Sequence, residues 1–294
     1  MEKEKSEIFY KLAREDGYDF YTGNTINYRE NVGKTVKCPN PNPRLGICSA
    51  GVIHASKNPN DCFVGASIPC SAYKVKGTSV CDSNKKSGFI ELEILEEIKD
   101  LDALFGWKYS EAKNPINPFM LPKRKVDIQD LKDLKTWASV RASVRASVRD
   151  SVRVSVWDSI WDSVGASVGA SVRDSVRVSV WDSIRASVGA SVWASVRDSV
   201  RDSVWASVGA SVRNSVWDSI WTYIGSLFPN IKKWNYVGHQ EGKYPFQSAT
   251  NLWKRGLVAS YVYNSKKWRL HSGKKAEIVW EGTIEDLEEE LNNK

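Results

Sequence analysis

ASVRASVRASVRDSVRVSVWDSIWDSVGASVG, residues 138–169, opens a stretch that continues to Trp221 as 21 four-residue units without insertion or deletion. Position two is always Ser. Position three is Val, or Ile at 160, 184 and 220. Position one is Ala, Asp, Val or Asn, and position four is Arg, Trp or Gly. A period this strict is read first, because the architecture between the flanks follows from it.

A period of four is awkward for one long α-helix. Each Val advances about 40° around the axis, so after roughly nine units the apolar stripe has gone all the way round. The same period is a multiple of two and suits a strand, with Val inward, Ser and the fourth residue outward, and position one at a corner. Trp157, Trp181, Trp193, Trp205 and Trp217 are separated by multiples of twelve, which three units per coil would place on one face. The expected fold is therefore an α+β N-terminal domain, a central tetrapeptide-repeat solenoid and a small α+β C-terminal cap. A β-solenoid is the preferred form of the repeat, with stacked helices as the alternative.

The flanks have ordinary complexity. The expected domains are 1–122, a helical linker 123–137, the repeat 138–221 and the cap 222–294. Prolines at 115, 118 and 122 mark the first boundary. KTVKC, GVIHAS, AYKVKG and GFIELEIL read as strands, and IKDLDALFGWKYSEA as a helix. In the cap, SATNLWKRGL reads as a helix stopped by Gly256, VASYVYNSKKWRLH as a hairpin and AEIVWEG as a third strand. TIEDLEEELNNK reads as a helix capped by Thr283. Tyr223, Ile224, Leu227 and Phe228 are expected to seal the end of the repeat.

The formal net charge is +7, which gives weak affinity for anionic partners at most. The repeat holds 10 Arg against 8 Asp, too balanced for an electrostatic track along nucleic acid. Nucleic acid thus ranks below a protein partner. No long apolar run or secretory leader is evident, so a cytoplasmic chain without a membrane partner is expected. All five cysteines fall between Cys38 and Cys81, an odd number that argues for reduced thiols. Cys38, Cys48, His54 and Cys62 are the candidate zinc ligands. Their spacing is wide and holds no C-x-x-C pair, so no cofactor is the preferred reading.

Two functional readings compete. The preferred one is a non-enzymatic structural or interaction scaffold, presenting Trp181, Trp193, Trp205 and Trp217 as a ladder to a protein partner. The rival is an enzyme in the N-terminal domain, built on His54 with Glu91 or Glu93. Phe20-Tyr21-Thr22-Gly23, His54-Ala55-Ser56 and Glu91-Leu92-Glu93 are loosely similar in spacing to ADP-ribosyltransferase-like folds, although the first motif lacks an Arg. That resemblance implies a strand Ser holding a nicotinamide dinucleotide and a Glu polarising a ribose hydroxyl.

A second resemblance rests on Gly51, Ile53, His54, Ala55, Ser56, Pro59, Asp61 and Phe63. This string resembles the short N-terminal domain of uncharacterised phage and prokaryotic proteins that carry degenerate short repeats. LWKRGLV and WRLHSGKKAEIVWE resemble a module that closes such repeat proteins. The resemblance implies a viral or microbial origin, with host cytoplasm as the location if viral, and assigns no functional residue.

Overall fold

The structure, a computed structural model, describes residues 7–47, 49–152, 156, 160–161, 164–165, 172–173, 175–176, 214–263 and 265–293. Two compact units are present: residues 1–113 with 153–163, and residues 114–152 with 164–294.

In the first unit, strands β1 (Glu7–Ala13), β2 (Thr35–Lys37), β4 (Ser71–Gly77) and β7 (Glu91–Ile98) form an antiparallel sheet in the order β1-β4-β7-β2. A second small sheet has the order β3-β6-β5, from β3 (Ile53–Ala55), β5 (Cys81–Asp82) and β6 (Ser87–Phe89). Period-two alternation builds the core: Phe9 and Ala13, Tyr73 and Val75, Leu92 and Ile94 are all buried. Phe89, Ile53 and Ala55 from the second sheet join the same cluster. The expected strand GFIELEIL is broken at Ile90, and its halves enter different sheets. IKDLDALFGWKYSEA is likewise two short helices, α1 (Leu101–Phe105) and α2 (Tyr109–Lys113). The break falls at Gly106, whose φ of 73° lies in the left-handed region that favours glycine.

The second unit is organised on α3 (Ile128–Val140), which packs against α6 (Gln247–Lys254) and α7 (Ile284–Asn292). A capping box opens α3: Asp130 N donates to Asp127 Oδ1 at 3.0 Å and Asp127 N to Asp130 Oδ2 at 2.9 Å. The Asp130 carboxylate is fully buried. Its charge is met by Arg255 at 2.8 Å and Arg124 at 2.9 Å, while Arg255 also reaches Asp133 at 2.6 Å. Strands β8 (Leu257–Val262), β9 (Lys267–Ser272) and β10 (Glu277–Gly282) make an antiparallel sheet in sequence order, matching the expected hairpin and third strand.

The β-solenoid expected for residues 138–221 is corrected. The described residues are mixed α+β with three small antiparallel sheets, and none of their strands comes from the described part of the repeat; residues 177–213 of the repeat lie outside the described residues. Described repeat residues fall largely in helices, including α4 (Val144–Ser151) and α5, residues 214–225. The drift of a period-four stripe is real, but it accumulates only along an unbroken helix. A 3-10 turn at Arg141–Ser143 precedes α4, and Val152, at ψ 135°, ends it in extended backbone. Over α4 the two Val rotate by only about 40°, well inside an apolar stripe. Val144, Val148, Val216 and Ile220 are fully buried.

Serine at the second position of every unit is compatible with these helices because its hydroxyl can bond back to the preceding turn. Ser219 Oγ donates to the Ser215 carbonyl at 3.3 Å, and Thr222 Oγ1 to that of Asp218 at 2.9 Å. Ser215 Oγ instead accepts from Tyr261 N at 3.1 Å, tying α5 to β8. First and last repeat units also meet directly. Arg145 Nε donates to Asp218 Oδ1 at 2.6 Å, and Arg141 Nε lies 3.5 Å from Asp218 Oδ2. The Arg141 guanidinium sits over the rings of Tyr261, Trp268 and Tyr263 at 5.3, 5.4 and 5.7 Å. Tyr223, Ile224, Leu227 and Phe228 are all buried, in the core of this unit.

Two stability predictions follow from buried polar groups. Arg255→Met removes a guanidinium from the buried Asp130 and should cost about 3 kcal/mol in chemical denaturation. A loss below about 0.5 kcal/mol would show that Arg124 alone compensates Asp130. His271 is fully buried between the Ser260 hydroxyl, 2.8 Å from Nε2, and the Ala276 carbonyl, 2.9 Å from Nδ1. A carbonyl only accepts, so Nδ1 carries the proton and Nε2 accepts from Ser260. Burial lowers its pKa to about 4, against 6.5 in the unfolded chain. Between those values the unfolded state binds more protons, so stability falls as pH falls. The loss reaches about 2 kcal/mol at pH 5. Urea midpoints that stay constant from pH 7 to pH 5 would contradict this.

Candidate functional site

Lys11 has an alternation partner on either side, Phe9 and Ala13, whose side chains enter the core. Its side chain therefore points inward, and the residue is 6% exposed. Nζ lies 5.1 Å from the centre of the Tyr28 ring and forms an ion pair with Asp19. Burial alone would lower the Lys11 pKa, but the net shift is upward, above the ordinary amine range, and near neutral pH the negative charge that holds the ammonium is the Asp19 carboxylate. The Tyr28 phenol is itself pushed up to about 12 by burial and stays neutral. Burial would raise the Asp19 carboxyl, yet Lys11 and the Tyr21 and Thr22 amides hold it below its ordinary value. Tyr21 N donates to Asp19 Oδ1 at 3.0 Å, so the same carboxylate that meets the buried charge shapes the turn carrying Tyr21 and Thr22.

Beside Lys11 lies a cleft of about 370 Å³. Lys11, Asp19, Tyr21, Ser49, His54 and Ser56 contribute its polar lining, with Thr22 and Lys86. Leu12, Ala50, Ala55, Val64, Gly65 and Ala66 contribute apolar surface. The far wall is set by β3 and the segment after it. Ser56 exchanges backbone hydrogen bonds with Tyr10 at 2.8 and 2.9 Å, which pins the end of β3 to β1. His54 and Ser56, two residues apart, consequently line one cleft.

The protonation states of these groups are defined by their partners. His54 Nε2 faces the Ile47 carbonyl, so it carries the proton and Nδ1 is left as an acceptor. Burial lowers the His54 pKa, the Ile47 hydrogen bond opposes this, and the Lys11 and Lys86 charges add to the lowering. Burial also pushes the Cys62 thiol up to about 11, and its Sγ donates to the Tyr10 carbonyl at 3.1 Å. Ser56 Oγ lies next to this thiol. It is buried, with the residue 1% exposed, and its hydrogen bond to the thiol opposes the upward shift of Cys62.

The residues singled out from sequence are distributed as follows. Phe20, Tyr21 and Thr22 meet His54, Ala55 and Ser56 in this cleft. Glu91 and Glu93 do not. Both are exposed on the face of β7 opposite Leu92 and Ile94, beside Thr35 and Lys76 in a separate shallow depression. The three motifs of the transferase-like spacing are thus not assembled in one place. Cys38 and Cys62 are free, buried thiols committed to backbone carbonyls, and Cys48 lies outside the described residues. Among the described residues, no group of three or more His, Cys, Asp and Glu is placed to hold a metal ion. Trp181, Trp193 and Trp205 lie outside the described residues. Trp217 is half-buried on α5, with the Arg173 guanidinium 5.9 Å from its ring. No described helix is long and apolar enough to cross a membrane.

Lys11 and Asp19 were not singled out by sequence reading. The one signal for Lys11 was its period-two spacing with Phe9 and Ala13, which the charged N-terminal run around it obscures. No family model, curated protein or solved structure matches the chain.

The His54 state gives a direct check. In a histidine-selective NMR titration, the His54 midpoint should fall below the ordinary value of about 6.5, and the neutral ring should show the Nε2-protonated tautomer. A midpoint at or above that value would contradict the geometry.

Proposed function

We propose that the chain is a non-enzymatic binding protein whose first unit holds a small molecule in the cleft beside Lys11. The observation that carries this reading is the state of the lining groups. Lys11 is held protonated by Asp19, so its amine is no nucleophile. The Cys62 thiol is protonated, buried and committed to a carbonyl. The carboxylates that an enzyme reading would use, Glu91 and Glu93, line a different depression. What remains is a pre-formed concave site with a fixed ion pair, one imidazole nitrogen left as an acceptor and a largely small, aliphatic wall, the composition of a recognition site. On the same reading the repeat is a structural and protein-interaction scaffold, supported by the clasp of Arg141 and Arg145 on Asp218.

A backbone-amide NMR screen of the full chain tests this. The probes are nucleosides, amino acids, monosaccharides and their phosphorylated counterparts. At least one class should shift the amides of residues 19–22, 54–56 and 62–66 together. If all probes leave these amides unmoved, or act only elsewhere, the reading fails.

A further inference from the structure

Given the reading of the cleft as a non-covalent binding site, on which this rests, we infer that its ligand is a small organic carboxylate. The single negative charge is received by Lys86 at the Gly65 wall, and a short apolar body lies against the aliphatic lining.

Charge comes first. The ionised groups in the lining are Lys11, Lys86 and Asp19. Lys11 and Asp19 cancel as an ion pair, the His54 ring is neutral and the Cys62 thiol holds its proton. The charge of Lys86 is left in excess. Lys86 also borders a neighbouring depression lined by Glu7, Asp61 and Asp82. Its Nζ, however, lies 2.7 Å from where a β-carbon on Gly65 would sit, and Gly65 lines the cleft but not that depression. The field of the ammonium reaches His54 and Cys62, both in the cleft lining, and lowers the pKa of each. Asp61 is buried outside the lining and acts on Cys62 in the opposite sense. Lys86 already makes an interaction within the chain, but an ammonium has three donors and a ligand on the cleft side needs only one of them. A dianion would exceed the one positive charge in excess.

Gly65 is what admits the ammonium to that wall. Its φ of −142° lies outside the left-handed region, so the backbone does not require glycine here. A β-carbon would instead meet Lys86 Nζ at 2.7 Å and the Tyr21 ring at 3.5 Å. Tyr21 is 80% exposed, so the ammonium stands at the mouth of the cleft. A carboxylate there keeps part of its hydration while it pairs with Lys86, which avoids the cost of burying a bare charge. The buried Leu12 and Ala55, with Ala50, Val64 and Ala66, supply the apolar surface. The volume of about 370 Å³ lies near the lower end of small-molecule sites, about 300–1,000 Å³, which restricts the body to a short chain or one small ring.

His54 makes the binding proton-linked. Lys11 on β1, Asp19 in the turn that follows, Lys86 between β5 and β6 and the protonated Cys62 thiol share the cleft with it. Cys81 stands in register with it through Gly88, and Asp61 is the one further charge on the 3-10 segment that carries Cys62. Burial keeps the ring neutral, and the two ammonium charges add to this. A carboxylate beside Lys86 offsets part of that positive field, so the His54 pKa rises on binding. The complex then holds more protons than the free chain, and binding tightens as the pH falls from about 8 to about 6. An ordinary carboxyl, with a pKa of about 4, stays ionised throughout that range.

Isothermal titration of the full chain with butyrate, benzoate, their uncharged amides and propyl phosphate tests this, and the two carboxylates also join the amide screen as a further probe class. At least one carboxylate should bind and shift the amides of residues 19–22 and 62–66. Its amide should bind about tenfold more weakly or worse, and propyl phosphate no more tightly. Saturation with the carboxylate should raise the His54 NMR midpoint by about one pH unit, which the amide should not do. Lys86→Met should weaken carboxylate binding about tenfold or more, and Lys86→Arg should retain it. Gly65→Ala, which displaces only the end of a flexible side chain, should weaken binding while leaving the urea midpoint unchanged. Equal binding of carboxylate and amide, tighter binding of the phosphate, or an unchanged affinity in Lys86→Met would overturn the assignment and leave the binding-site reading standing. Silent carboxylates beside another probe class that shifts the cleft amides would do the same. Silence from every probe class, carboxylates included, would overturn both.

Discussion

A lysine ammonium buried on an inward-facing strand position demands a counter-charge, and much of the first unit's active surface is arranged around that demand. Lys11 lies between Phe9 and Ala13 on β1, so period-two alternation sends it into the core side of the sheet. Asp19 meets it, and the same carboxylate accepts the Tyr21 amide and fixes the following turn. The Tyr28 ring also lies near the ammonium, its centre 5.1 Å from Nζ. Through Asp19 the Tyr21 ring and Thr22 are brought to the cleft, and through the Tyr10–Ser56 backbone pair His54 and Ser56 are brought to its far wall. Fold and site thus share one electrostatic constraint.

The second unit shows how a low-complexity sequence can be helical without a helical period. A stripe of Val every four residues cannot stay on one face of a long helix. Short helices solve this by restarting: a 3-10 turn before α4 and extended backbone at Val152 reset the drift before it moves Val out of the core. Two buried Ser positions bond to the carbonyl of the preceding turn or to a neighbouring strand, Ser219 and Ser215, whereas the buried Ser147 and Ser151 hydroxyls have no hydrogen-bond partner among the described residues. Arg and Asp at the outer positions then join units distant in sequence, as Arg145 and Asp218 do. The balanced count of Arg and Asp in the repeat is consistent with such pairing.

Several elements were legible because local chemistry decides them. The capping box of α7 at Thr283 and Asp286, the strand pair β8–β9 and the stop at Gly256 all follow from residues adjacent in sequence. Glu91 and Glu93 were legible as surface carboxylates from their alternation with Leu92 and Ile94. Half of the candidate site was legible too, since His54 and Ser56 share a strand face. Its other half was not, because Lys11 sits in a charged N-terminal run and its partner Asp19 comes from a turn eight residues on. The repeat misled for a different reason. Both strand and broken helix can bury a period of four, and what separates them is where the backbone breaks, which identical units do not announce.

The most direct test is a double-mutant cycle on Lys11 and Asp19, read by chemical denaturation of the full chain. Lys11→Met and Asp19→Leu should each be strongly destabilising, by about 3 kcal/mol, because each leaves a buried charge unpaired. The double variant should be no worse than either single one, giving a coupling energy of several kcal/mol. Additive losses, with a coupling near zero, would show that the two charges are independently solvated and that the buried ammonium does not organise the cleft.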